Sequence, residues 1–338
     1  MSPRKIPLEG LASKNVLKHA RVFLTSWIGF WLQDTTRFWD LQGMLWRRMA
    51  RCYTGTSGLI HPGCTYPTLS NLLSWNSSPD RILRGILASM LFFPDLKSRH
   101  LVPEQMDDPN LPPADHQLAL RGLRRINRFS GTVSYLSSTI LDLAKPVNAS
   151  PGPPPWVLLD IGCANGENLI ALYRHLSKHI SVRCVGWDIS PFAIQSAKEL
   201  ALSSGLSEDQ VRFEVVDALG QIDPTPQADI VINSLFMHHF EESAVVSLLS
   251  RSAQLARVAV VADDLNRTQL GWFLAKTGCW LLSRSRVVHF DGPQSVRAAF
   301  TCTEIASIAE LAGLENYRIT KHWPERYALV WRRSPVRS

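Results

Sequence analysis

Apolar runs of strand length alternate with helical stretches through the second half of the chain, which predicts an α/β fold: a doubly wound, mainly parallel sheet with helices on both faces. Two details support this. The runs are apolar on both faces rather than every second residue, as strands covered on both sides must be. The first run also ends in a glycine-bearing turn that leads straight into a helix.

In order, WVLLDIG is followed by the helical ENLIALYRHLSK, and VRCVGWDIS by FAIQSAKELALSSG. VRFEVVDAL comes next, then ADIVINSLF with the helical SAVVSLLSRSAQLA, then RVAVVADDL. Ahead of the sheet, MDDPNLPPADHQLALRGLRRINRFSG reads as a Pro/Asp loop and a helix. Asp115 is its expected cap and Leu118, Leu120, Leu123 and Ile126 form its apolar stripe. A second helix is expected over Val133 to Leu143. The stretch KPVNASPGPPP then marks a boundary, because prolines at that density neither continue a helix nor enter a sheet interior. The organisation expected is a basic front segment over 1–105, a helical lead-in over 106–150 and the sheet domain over 151–333.

The front segment differs in kind. It carries 13 Lys+Arg against 6 Asp+Glu, the whole of the formal charge of +7, and five of the eleven Trp. The remaining residues are electrically balanced, which argues against a nucleic-acid substrate. Helices are conceivable over 13–33 and 81–93, as an N-terminal extension or membrane-surface anchor; equally, the working chain could start at Met90 or Met106. The apolar run Val22 to Leu32 has 11 residues, short of the roughly 20 of a spanning helix. No membrane span is expected, and peripheral membrane contact stays open. The six cysteines, Cys52, Cys64, Cys163, Cys184, Cys279 and Cys302, show no CxxC or Cys/His ligand spacing. Neither a metal site nor a disulfide framework is expected, and a reducing cytoplasm suits them.

The chemistry concentrates at the ends of the strands. VLLDIGCANGE places Asp160, Gly162, Ala164 and Gly166 in a tight turn before a helix that starts near Glu167, so a nucleotide-type ligand can approach the backbone and the helix N-terminus. The turn reads GxAxG, a poor match to the GxGxxG of dinucleotide folds. Asp188 ends the second run, where a carboxylate can accept ribose hydroxyls or cap the helix that follows. Asp217 and Ala218 end the third run. Asn233, Ser234 and the pair His238–His239 end the fourth, and imidazole titrates where a general base is useful.

The succession of these four stations between Asp160 and His239 resembles the class I S-adenosylmethionine-dependent methyltransferases, whose first motif looks like DxGxGxG; Ala164 is the departure from it. The resemblance implies a Rossmann-like, seven-stranded sheet and S-adenosyl-L-methionine as cofactor. By it, Asp160, Gly162, Ala164 and Gly166 face the amino-acid portion, Asp188 and Ile189 the ribose and adenine side, Asp217 and Ala218 the adenine edge, and Asn233 completes the site. Exocyclic-amine methyltransferases typically show Asn/Asp-Pro-Pro-aromatic at the fourth station; Asn233-Ser234-Leu235-Phe236 does not fit that chemistry. The segments MDDPNLPPADHQLALRGLRRIN, VVADDLNR and HFDGPQSVRAAFT further resemble a bacterial subgroup related to the ubiquinone/menaquinone methyltransferases, associated with polyketide and phenolic-lipid pathways. That subgroup usually has Asn where Asp263 stands.

Beyond the fifth run, Leu270 to Leu282 reads as an apolar helix with Trp272, Phe273 and Trp280, and VHFDGPQSVRAAFT as a polar loop with His289, Asp291 and Arg297 as orienting groups or a closing ion pair. A greasy wall beside polar groups suits a small, largely apolar acceptor with a phenolic, quinone-like or polyketide-derived nucleophile, methylated on oxygen or carbon. His238, His239 and His289 are the candidate bases. The rivals are a cofactor-binding regulatory protein without catalysis, which Ala164 favours, and a nicotinamide-dependent oxidoreductase, which lacks its third glycine and a Tyr/Lys relay. Oligomeric state is not legible.

Overall fold

The computed structural model describes residues 94–334 except 109, 145–154, 222–224 and 226. The helices considered at 13–33 and 81–93, the apolar run Val22 to Leu32 and most of the proline-rich linker lie outside the described residues. A short 3-10 turn, Gln105–Asp107, comes first, then α1 (Pro113–Ser130) and α2 (Thr132–Ala144). The sheet unit follows as β1 (Trp156–Ile161), α3 (Glu167–Leu176), β2 (Val182–Asp188), α4 (Pro191–Ser203), β3 (Val211–Val215) and β4 (Ala228–Ser234). A 3-10 turn, Met237–His239, leads to α5 (Glu242–Leu255) and β5 (Ala256–Leu265). The chain closes with α6 (Gln269–Leu282), α7 (Arg286–Ala298), α8 (Cys302–Leu311), β6 (Arg318–His322) and β7 (Arg326–Arg332).

The seven strands lie in the order β3-β2-β1-β4-β5-β7-β6. β7 runs antiparallel to both of its neighbours, and the pairings among β1 to β5 are parallel. Strand order reverses between β1 and β4, which opens a crevice beyond their carboxyl ends where open α/β sheets take their ligands.

Alternation along the strands splits the core in two. Leu158, Ile230 and Ala259 join one cluster with Leu136 and Ile140 of α2, Leu169 and Leu172 of α3 and Ile194 of α4. Their neighbours Leu159, Val231 and Val260 join the other, against Val245 and Leu249 of α5 and Ile305 and Ile308 of α8. This two-sided burial is the reason the central strands β1, β4 and β5 have continuous apolar runs, whereas the edge strand β3, VRFEV, alternates buried and charged residues.

Two expectations are corrected. α1 starts earlier than Asp115: Pro112 is its N-cap and Pro113 opens the first turn, where the missing amide of proline costs nothing, so Asp115 lies inside the helix facing its positive end. The segment read as a polar loop, VHFDGPQSVRAAFT, is mostly helix α7, with Pro293 inside it. Its polar residues concealed a buried stripe formed by Val287, Val288, Asp291, Gln294, Ser295 and Val296.

α6 and α7 pack with α1 and the first 3-10 turn into a third, smaller cluster: Ala119, Cys279, Val287 and Val288, flanked by Met106, Leu111, Leu123 and Ile126. The α6–α7 approach is tight, since a Cβ on Gly292 would sit 2.2 Å from the Cys279 sulfur. Gly292→Ala is therefore expected to cost about 1–3 kcal/mol in denaturant unfolding, the usual range for overpacking. Most of that loss should vanish in a Cys279→Ala background, so a double-mutant cycle with no coupling would show that the two residues do not meet.

Candidate active site

The crevice is built first by the turn after β1. Gly162 and Gly166 both adopt left-handed backbone, φ 77° and 73°, and neither could carry a side chain. A Cβ at Gly162 would lie 2.4 Å from the Phe236 ring, and one at Gly166 would lie 2.5 Å from that of Phe213. Ala164 is also left-handed, φ 47°, a conformation that costs an L residue about 1–2 kcal/mol. It is held there by its own amide, which donates to Asp188 Oδ2 at 2.9 Å, while Ser190 N–H donates to Asp188 Oδ1 at 2.9 Å. The carboxylate at the tip of β2 thus ties the glycine turn to the neighbouring strand.

Asp160 is buried at the end of β1. Burial, reinforced by the charge of Asp188, pushes its carboxyl up to about 8. Ile189 and Phe192 are exposed beside Asp188, and the edge of His116 on α1 approaches the Phe192 ring at 6.1 Å. Asp217 accepts from Leu219 N–H at 2.9 Å, and Arg251 of α5 donates to the carbonyls of Ala218 and Gly220, fixing the turn after β3. Asn233 is wholly buried, and neither polar atom of its side chain has a hydrogen-bond partner.

The second half of the site comes from β4, β5 and a stretch of chain ahead of α1. His238 is buried. Its backbone N–H donates to Asp264 Oδ2 at 3.1 Å, and its Nδ1 lies 2.6 Å from Asp264 Oδ1. Its other nitrogen, Nε2, lies 3.7 Å from Glu104 Oε1. Burial alone would push this imidazole down, but the two carboxylates outweigh it and raise it to about 10. The ring of His239 lies against it, tilted by 31° with ring centroids 4.3 Å apart, and both burial and the charge of His238 lower its pKa. Asp107 Oδ2 lies 3.9 Å from His239 Nδ1.

His289 shares no hydrogen bond or ion pair with this cluster; its Nε2 lies 3.0 Å from the Ser283 carbonyl oxygen, across the α6–α7 turn. Asp291 accepts the amides of Gln105 and Met106 at 2.9 and 3.1 Å, and Arg297 donates to Gln294 at 3.0 Å. The closing ion pair considered among these three residues is thus replaced by a cap on the first 3-10 turn and a contact within α7.

Glu104, Asp107 and Asp264 were missed by sequence reasoning, although the acidic run EQMDD and the pair Asp263-Asp264 were there to be read. Glu104 fell within the front segment, whose last residues are bound into the site. Arg99 donates to the carbonyls of Ala298 at 2.7 Å and Phe240 at 2.8 Å and lies over the Phe300 ring, while the buried Arg267 donates to the Leu96 carbonyl at 3.0 Å.

Residues 158–258 match the family model described as a methyltransferase domain. Ajmaline N-methyltransferase of Rauvolfia serpentina is 33% identical over 124 residues, covering 35% of this chain and 41% of the relative. A protein described as probable tocopherol O-methyltransferase, chloroplastic, of Oryza sativa subsp. japonica is 34% identical over 109 residues, 32% of this chain and 29% of the relative. The chain thus covers less than half the length of these curated relatives. Among solved structures, the plantazolicin methyltransferase in complex with a triazolic analogue and SAH aligns with a TM-score of 0.49 and 16% identity over 66% of this chain and 92% of that one. The glycine turn, β2 and β4 all fall inside the stretch 158–258 that matches that family model.

The raised Asp160 gives a test with a definite sign. A carboxyl whose pKa is higher folded than unfolded favours the folded state while protonated, and that contribution is lost as pH rises from about 4 towards 8. Asp160→Asn removes the titration. In thermal melts without ligand, the stability of the variant relative to the parent should therefore increase from pH 5 to pH 9; a difference independent of pH would show that Asp160 is not held protonated.

Proposed function

We propose that this chain is an S-adenosylmethionine-dependent methyltransferase that acts on a small, largely apolar acceptor at oxygen or carbon. The observation that carries the reading is the convergence, at the crevice between β1 and β4, of the glycine turn tied to Asp188 and the Glu104–His238–His239 cluster on the neighbouring strand end. The first is a cradle for the cofactor. The second lies on the acceptor side.

In this reading Gly162, Ala164 and Gly166 let the cofactor's amino-acid portion approach the backbone, with Asp160 beneath it. Asp188 takes the ribose hydroxyls with lone pairs left over from Ala164 and Ser190, and the exposed Ile189 covers one face of the adenine. Asp217 and Ala218 read the adenine edge, and the unpartnered amide of Asn233 is the last polar group of the set. The methyl group moves in line from sulfonium to acceptor, so positioning supplies most of the rate, and the Glu104–His238–His239 cluster holds the acceptor's nucleophile and assists the loss of its proton. His289, turned to Ser283, positions α7 rather than reacting.

Both N- and O-methyltransferases of small molecules are among the relatives. The Asn233-Ser234-Leu235-Phe236 stretch at the end of β4, with no proline, favours oxygen or carbon over an amine. The aromatic side chains of α6 and the polar ones of α7 suit a phenolic, quinone-like or polyketide-derived acceptor. The domain runs over 151–333 with 106–150 as its lead-in, extended forward at least to Leu96 by the contacts of Leu96, Arg99 and Glu104. Among the described residues no helix is long and apolar enough to cross a membrane.

Calorimetric titration of the full chain with S-adenosylmethionine and S-adenosylhomocysteine should show one site for each, and absence of binding by both overturns the proposal. Asp188→Ala should weaken binding at least ~30-fold, the loss of roughly 2 kcal/mol of charged hydrogen bonding, while the chain still unfolds cooperatively. Competition with NADH should be absent.

A further inference from the structure

We propose that Glu104, His238 and His239 form a divalent-cation site on the acceptor side of the crevice. One ligand atom from each residue lies within 4.8 Å of the other two. Glu104 Oε1 and His238 Nε2 are 3.7 Å apart. Two ligands each about 2.1 Å from a tetrahedral ion are about 3.4 Å apart, so this pair already stands near ligand spacing, and the set closes on an ion as the side chains draw in from the 4.8 Å that bounds it.

The surroundings are those of a metal-bound histidine. The nitrogen of His238 that faces away from the cluster is held by the Asp264 carboxylate at 2.6 Å, the outer partner that fixes ring orientation and strengthens the ligating nitrogen. Asp107 stands beside His239 Nδ1 at 3.9 Å. Three carboxylates, Glu104, Asp107 and Asp264, therefore surround two imidazoles. The nearby cation, Arg99, spends its guanidinium on the backbone carbonyls of Ala298, His238 and Phe240 and on the Phe300 ring. Ser295 donates its hydroxyl to Glu104 and orients it.

The site is open on one side. Side-chain exposure rises from 5% at His238 through 17% at Glu104 to 31% at His239, which leaves room for a fourth ligand facing the acceptor. Two imidazoles and one carboxylate suit a first-row ion such as zinc or manganese, which enters by displacing to solvent the proton that His238 Nε2 presents to Glu104.

Resting on the methyltransferase reading, the fourth ligand is the acceptor's hydroxyl. Coordination lowers the pKa of such a hydroxyl, so its O–H bond breaks and the proton goes to solvent. The oxygen then forms the new bond to the methyl carbon as the C–S bond breaks and the electron pair stays on sulfur.

The full chain, stripped with a chelator and dialysed, is titrated with Zn²⁺ and separately with Mn²⁺ by calorimetry, and S-adenosylhomocysteine binding is measured on the same material. One tight equivalent of at least one ion is expected. Glu104→Gln and His239→Ala should each weaken it at least ~30-fold, and Asp264→Asn by ~10–100-fold, while Glu104→Gln and His239→Ala keep parental S-adenosylhomocysteine affinity. Absence of an equivalent of either ion, or uptake indifferent to Glu104→Gln and His239→Ala, overturns the site. Ion uptake without S-adenosylhomocysteine binding sustains the site and removes the methyltransferase reading instead.

Discussion

Two consecutive carboxylates on β5, Asp263 and Asp264, are both buried, and the alternation of a strand sends them to opposite faces of the sheet. Burying even one unpaired charge is costly, and removing a partner from a buried pair costs about 3–5 kcal/mol. Each carboxylate must therefore be met by cations, and the elements that supply them must be in place. Asp263 is met by Arg326 at 2.5 Å and His322 at 2.8 Å. Arg326 in turn donates to Thr132 at the start of α2, and Tyr135 of the same helix stacks on His322 at 3.7 Å. On the other face Asp264 is met by His238, and through it by Glu104. A single dipeptide thus fixes where α2 crosses the sheet and where the histidine pair stands.

The cofactor side obeys a different constraint, steric rather than electrostatic. Phe236 and Phe213 press against the turn after β1 so closely that two of its positions can hold only glycine. The carboxylate of Asp188 supplies a polar tie that helps keep Ala164 in its disfavoured conformation. The two halves meet through β4: Phe236, which crowds Gly162, is followed at once by the turn that carries His238 and His239.

The parts of the molecule legible from sequence are those set by periodicity and by local turns. The apolar runs WVLL of β1 and VAVVA of β5 announce their strands, and the Asp160 turn announces itself by its glycines. α7 was obscured because its buried stripe includes Asp291, Gln294 and Ser295, residues that satisfy partners from the front of the chain and so look like loop residues when taken alone. Glu104 was obscured for the same reason in reverse. Nothing near it in sequence explains it, since its partners Ser295 and His238 lie far downstream and only the tertiary fold brings them together. His289 could be recognised as a histidine in a polar stretch, but whether its ring faces an acceptor or a carbonyl such as that of Ser283 is decided by the angle between two helices.

The straps from the front segment bear on how the protein comes into being. Arg99 grips the Ala298 carbonyl 199 positions away, and Ser295 grips Glu104 across 191. Bringing such distant points together forfeits more chain entropy than any local contact, so these pairings favour a late place in assembly. On the ribosome, where the N-terminal end emerges first, residues 96–105 must wait for α7 and the residues just after it, Ala299 and Phe300, before they can dock. The histidine cluster is then completed only after α7 has left the exit tunnel, and a nascent chain able to form the glycine turn would still lack the other half of its site.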